Sequence, residues 1–180
     1  MRIIAGRFNR RVLISPEGNE TRPSTDRTRE SMFNLIVSRL DMDQIRVLDL
    51  FAGTGALGLE SISRGAGHVD FVETSAIAGK AIRANIASLD PQISHHIHQE
   101  DAFRWLQKPI IRPYSLILAD PPYHLDGISN LPEWALPKLE EDGLFVLEHD
   151  RRIGFSDHEA CIVSRTYGKS SISIFSPPSK

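Results

Sequence analysis

Along these 180 residues the apolar positions change period several times, and the changes mark out alternating strands and helices. Short apolar runs bounded by turn residues, near 46–51, 68–73, 95–98, 115–119 and 143–148, read as buried strands. Between them the spacing predicts helices near 55–64, 75–88, 101–107 and 130–140. Alternation of this kind implies an α/β fold, a parallel sheet covered on both faces. Three segments depart from it. Met32, Phe33, Ile36 and Leu40 share one apolar face, which predicts a helix over about Thr25–Leu40, with Asp26 suited to its positive end. Ile3/Ile4 and Val12/Leu13 flank Gly6–Arg11, which predicts a short hairpin carrying Arg7, Arg10 and Arg11 at its tip. Ala160–Tyr167 and Ser170–Phe175 flank Gly168-Lys169, which predicts an antiparallel hairpin on the sheet edge. The expected organisation is a basic hairpin and loop over residues 1–23, followed by one domain over 24–180.

Charge adds an asymmetry to this outline. The chain has a net charge of −2, yet residues 1–30 hold seven arginines against four acids, and the remainder is acidic. A basic arm on an acidic body suggests a nucleic-acid contact at one end, although terminal arginines can also be simply solvated. Cys161 is the only cysteine, so no intrachain disulfide can form. No apolar run approaches the ~18 residues of a membrane helix, and Met1-Arg2-Ile3-Ile4 opens no signal-peptide core. A cytoplasmic protein with no membrane contact is expected, and nothing in the sequence demands a dimer.

The strand near 46–51, RVLDLF, runs into Ala52-Gly53-Thr54-Gly55 and then a helix. Strand, glycine-rich turn and helix is a nucleotide-cofactor arrangement, because glycines let backbone N–H groups approach a ligand. With Gly58 the G-x-G-x-x-G spacing is formally present. Asp49, in the strand, would repel a pyrophosphate, which argues against NAD and suits a cationic ligand such as a sulfonium amino acid. Asp49 and the loop residues Phe51, Ala52, Gly53, Thr54 and Gly55 are therefore candidate cofactor residues. Glu73 ends the next strand, 24 residues after Asp49, where an acid accepts from ribose hydroxyls. Asp101-Ala102 follows a further strand, where a carboxylate can accept from an adenine amine.

Asp120-Pro121-Pro122-Tyr123 closes the apolar run Ser115–Ala119. Asp120 is a strong acceptor, the double proline stiffens the turn and leaves the Pro121 carbonyl free, and Tyr123 offers a flat stacking face. Two acceptors beside an aromatic platform can hold a planar amine by its hydrogens, the requirement for alkylating the exocyclic nitrogen of a nucleobase. His95, His96 and His98 raise a metal reading. Residues 96 and 98 share a strand face and 95 does not, and neither a cysteine cluster nor a second ligand group accompanies them in sequence, so no metal is expected. His149, after Glu148, is read as a structural hydrogen-bonding residue or an aid to proton removal.

With these residues in place, the chain resembles the RsmD family of bacterial 16S rRNA (guanine-N2)-methyltransferases over nearly its whole length. The resemblance rests on MRIIAGRFNRR, TRPSTDRTRESMFN, VLDLFAGTGALGLESISRGA, FVE, DPPY, GLFVLEH and RTYGKSSISIF, in that order. It implies a Rossmann-like, class I S-adenosylmethionine-dependent methyltransferase fold, a seven-stranded sheet whose last strand is antiparallel. It implies transfer from S-adenosyl-L-methionine to a guanine N2 in rRNA, within a small ribosomal subunit or an assembly intermediate. Arg22, in the family-like TRP segment, is expected at the cofactor's carboxylate, and the basic arm's Arg7, Arg10 and Arg11 are expected at RNA phosphates. Thr74-Ser75-Ala76 after Glu73 are less charged than the family pattern. Two other readings stay open: an adenine-N6 methyltransferase on DNA or RNA, and a non-catalytic RNA-binding or ribosome assembly factor that keeps the fold.

Overall fold

A computed structural model describes residues 1–15 and 23–178. Five helices and seven strands follow in chain order: α1 (Pro23–Val37), β1 (Arg46–Leu50), α2 (Ala56–Ser63), β2 (His68–Val72), α3 (Ala76–Leu89), β3 (His95–His98), α4 (Ala102–Gln107), β4 (Tyr114–Ala119), α5 (Leu131–Ala135), β5 (Leu139–Asp150), β6 (Cys161–Tyr167) and β7 (Ser170–Phe175). They build one seven-stranded sheet in the order β3-β2-β1-β4-β5-β7-β6. The first five strands are parallel; β7 runs antiparallel to both β5 and β6. The closing hairpin forms as expected, with β7, its second strand, entered beside β5 and β6 left at the edge. The Rossmann-like α/β class follows from this order. No helix among the described residues is long and apolar enough to cross a membrane.

Two apolar layers hold the sheet. On one face Val47, Val69, Phe71, Leu116, Leu118 and Ile172 pack against Met32, Phe33 and Ile36 of α1, Leu59 and Ile62 of α2 and Ile82 and Ile86 of α3. On the other, Leu48, Leu50, Ile117, Phe145 and Leu147 meet α4 and α5 through Trp105, Leu106, Leu131 and Ala135. β4 is buried at every position, as a central parallel strand must be. The helix expected over 130–140 is shorter than its pattern implied. α5 is flanked by 3₁₀ turns at Ile128–Asn130 and Leu136–Lys138, and β5 begins at Leu139. Pro137 has no N–H to continue the helical ladder, which ends the regular turn there.

The N-terminal segment docks on the body. Arg2 bridges Val12, and Ile3 and Leu13 are buried in the same layer as α1. Glu60 of α2 is wholly buried, and it accepts from the backbone N–H of Ile4 (2.7 Å) and Ala5 (3.1 Å) and from Arg64 Nε (2.7 Å). A buried carboxylate is tolerable only when so satisfied. At Gly6, φ is +83° and an added Cβ would lie 1.9 Å from the Ser63 carbonyl oxygen, so only glycine permits this approach.

Candidate active site

The parallel strands end at one edge of the sheet, and the candidate residues meet there. Asp49 of β1 is 1% exposed and accepts from the Gly58 N–H at 2.8 Å. Gly55 precedes α2 in a left-handed conformation and offers no side chain to cap it. The Asp49 carboxylate therefore caps the first turn from the preceding strand. Burial pushes its pKa well above the usual carboxylate range, against the Gly58 hydrogen bond, and the Asp120 and Glu73 charges add to the rise. Asp49 thus shapes the loop from beneath and has almost no surface to offer a ligand, a correction to its reading as a direct ligand contact.

The loop itself is open. Phe51 has φ of 57°, a strained conformation for a bulky residue, costing about 1–3 kcal/mol where it persists. A Cβ added at Gly53 would meet nothing within 4 Å, whereas at Gly58 it would lie 2.4 Å from the Phe71 ring. The third glycine lets α2 seat on β2; the first leaves backbone facing free space. Glu73 gathers the loop, accepting from Gly53 N–H and Ser75 N–H, both at 2.8 Å. Ala52, Thr54 and Ala102 are buried, so their main chain is what can face a ligand. Asp101 caps α4 by accepting from the Arg104 N–H at 2.9 Å. Beside it Phe51 meets Phe103 edge to face, and Phe103 meets Trp134 likewise, giving an apolar wall. Open glycine backbone, two acids at successive strand ends and an aromatic wall fit a nucleoside with a cationic amino-acid tail. Arg22 lies outside the described residues.

At the end of β4, Asp120 stands on the α1 side of the sheet with water reaching its side chain. Desolvation by its surroundings first, and the Glu148 carboxylate on β5 second, raise its pKa. Burial also raises Glu148, against hydrogen bonding from Ser170 and the charge of Arg29. Pro121 is buried; among the described residues nothing donates to its carbonyl, while the Pro122 carbonyl accepts from Leu125 N–H at 2.9 Å. Tyr123 is 41% exposed, and its hydroxyl meets Ser170 Oγ at 2.5 Å. A chain of contacts thus runs from Tyr123 through Ser170 of β7 to Glu148. Arg29 of α1, 5% exposed, faces Glu148 and donates to Asp26 and to the Arg2 carbonyl, with its Nε unpartnered.

Glu148, Ser170 and Arg29 escaped the sequence reading. Each belongs to a separate element, and only the fold joins them. His149 points to the opposite face from Glu148. It is 1% exposed, bonded to Ser173 Oγ (2.9 Å) and the Asp150 carbonyl (2.9 Å), and packed on Phe155. Its role is structural. The arginine tip is not brought to this site. Arg7 N–H bonds the Ser63 carbonyl at the far end of α2, the Arg7 guanidinium pairs with Asp90 (3.7 Å), and Arg11 donates to the Ser88 carbonyl (2.7 Å). Arg10 is exposed.

The family model described as Conserved hypothetical protein 95 matches residues 1–176. YlbH of Bacillus subtilis (strain 168), provisionally named an rRNA methyltransferase, is 35% identical over 97% of this chain and 98% of its own. Ribosomal RNA small subunit methyltransferase D of Escherichia coli (strain K12) is 32% identical over 79% of this chain and 68% of its own. Among solved structures, yhhF of Escherichia coli, provisionally described as a methyltransferase, matches with a TM-score of 0.85 at 24% identity, covering 100% of this chain and 99% of that one. A family model spanning nearly the whole chain and relatives at this identity leave one assignment: the chain belongs to the family described as Conserved hypothetical protein 95, the RsmD family.

Proposed function

We propose that this chain transfers a methyl group from S-adenosyl-L-methionine to the exocyclic N2 of a guanine in 16S rRNA, within the small ribosomal subunit or a precursor. The observation that carries this reading is the pair of acceptors at the end of β4. The Asp120 carboxylate and the unpartnered Pro121 carbonyl sit beside the half-exposed ring of Tyr123, one strand away from the open glycine loop of β1. The RNA target and the ribosomal setting are supported by the names of YlbH and of methyltransferase D.

When bound, S-adenosylmethionine supplies a methyl group on a positively charged sulfur. Glu73 and Asp101 would hold its nucleoside end, and the backbone at Phe51–Gly55 its amino-acid end. A guanine amine is a weak nucleophile because its lone pair is delocalised into the ring. Asp120 and the Pro121 carbonyl accept its two hydrogens and turn the lone pair toward the methyl group. Orientation of this kind can supply about 7–11 kcal/mol of a barrier. One N2 proton must leave as the new N–C bond forms. Asp120, its proton affinity raised by desolvation and Glu148, is placed to take it. Tyr123, fixed through Ser170, offers its ring to the base, which costs a few kcal/mol to unstack from a duplex and less from a loop.

The test is methylation with labelled cofactor of unmethylated small subunits, naked 16S rRNA and DNA, followed by nucleoside analysis. Label in N2-methylguanosine is the expected result. Label in N6-methyladenine would keep the acceptor chemistry and overturn the target. No transfer to any substrate, with cofactor still bound, would favour the assembly-factor reading.

A further inference from the structure

A recess of about 760 Å³ lies away from the proposed methyl-transfer site. Gln44, Gly67, Ser94 and Arg112 place its mouth at the N-terminal ends of β1–β4, opposite Gly53 and Asp120. The register of β2 and β3 sets Asp70 beside His96 and Val72 beside His98, with His68 on the same face of β2. The sequence reading found no second ligand group for the histidines because His68 and Asp70 lie on another strand; pairing brings them together.

Asp70 is 1% exposed and its two oxygens have different tasks. Oδ2 is held by Arg46 (2.6 Å) and by the Tyr114 hydroxyl (2.7 Å). Oδ1 faces three imidazole nitrogens: His96 Nδ1 and His98 Nε2 at 3.2 Å and His68 Nε2 at 3.5 Å. Only His98 makes a hydrogen bond to it; His68 and His96 stand at ion-pair distance. A carboxylate oxygen has about two lone-pair sites, so three donors exceed what it can satisfy. Yet the spacing suits a shared ion. Donors bound at about 2.0–2.2 Å around one metal lie about 3.0–3.5 Å apart. The ligand atoms of His68, Asp70 and His96 all fall within 4.8 Å of one another. His68 also has the outer support typical of a ligand, with Nδ1 at 2.8 Å from Ser94 Oγ. A carboxylate at the centre disfavours an anion, and imidazole nitrogens disfavour magnesium or calcium, which prefer oxygen.

We propose that His68, Asp70 and His96 bind a divalent transition metal ion of the zinc or nickel type. The ion ties the four-residue edge strand β3 to β2. That strand leads directly into Glu100-Asp101, so the clamp steadies one wall of the cofactor site from outside it.

The test uses the full chain without an affinity tag, titrated with zinc and with cobalt, the latter followed by its visible absorption. One ion per chain is expected, with a rise in melting temperature on adding zinc and no response to magnesium. The His96 side chain is 70% exposed, so His96→Ala leaves the fold intact; this change and His68→Ala should each weaken zinc binding at least about tenfold. His95→Ala is the control, since its ring bonds the Ile93 carbonyl on the other face; its affinity should equal that of the wild type. Absence of saturable zinc uptake by the wild type, or equal uptake by His96→Ala, would overturn the proposal.

Discussion

At the residue scale the account turns on two carboxylates placed close enough to feel one another. Desolvation raises both Asp120 and Glu148 above the ordinary carboxylate range, and the negative charge of Glu148 adds to the rise at Asp120. The ionised form of Asp120 is the stronger acceptor and can take the amine proton. The rate of transfer should therefore rise with pH through the range where Asp120 ionises, then level off. Glu148→Gln removes the opposing charge, keeps a partner for Ser170, and lowers the Asp120 pKa. The rising limb of the pH–rate profile should move to lower pH, read from single-turnover rates; an unmoved limb would separate Glu148 from Asp120. The acceptor end of this pair was legible in sequence, since Asp-Pro-Pro-Tyr after an apolar run states its own geometry. Glu148 was not, because an acid on a predicted strand has no direction until the strand has neighbours. Arg29 likewise read as one of seven arginines in a basic arm, whereas it is buried beneath the site.

At the element scale, local patterns gave the parallel strands and their helices, and cross-strand relations gave the surprises. The glycine loop was readable as a backbone approach, and its three glycines have three different reasons: free space at Gly53, a left-handed turn at Gly55, and helix–strand contact at Gly58. Asp49 lies in β1, as its apolar run implied, and serves as the cap of α2, because Gly55 cannot. Pro137 cut short the helix that the apolar spacing promised. Histidines on β3 looked isolated because register between strands is absent from a linear pattern. The docking of the N-terminal hairpin was equally hidden, as it depends on the buried Glu60. Glu60→Ala would strand two backbone N–H groups and leave Arg64 without its carboxylate. Loss of one partner of a buried charge pair costs about 3–5 kcal/mol, so urea denaturation should show a loss of that order. A change below about 1 kcal/mol would mean that the hairpin adds little to the fold.

At the scale of the whole molecule the two ends of the sheet divide the work. The C-terminal ends of the strands gather the glycine loop, Glu73 and Asp120; the other end holds the histidine recess and the hairpin tip. The tip arginines therefore sit a helix length from the glycine loop, and two of them are already engaged with α3 and its following turn. If they touch RNA, they do so remotely, as suits a substrate recognised by shape across a particle. Arg10 is the exposed member. Arg10→Ala should lower the slope of log affinity against log salt by about 0.7–0.9 while leaving cofactor affinity unchanged. An unaltered slope would remove Arg10 from the RNA footprint. The central claim is that Asp120 acts on the amine and not on the cofactor. Measured side by side, cofactor affinity by calorimetry and single-turnover transfer to the small subunit should part company in Asp120→Ala. Transfer should fall about 100-fold or more, with cofactor affinity within a few fold of wild type. Parallel loss of both would make Asp120 a cofactor residue, and retained transfer would contradict the account outright.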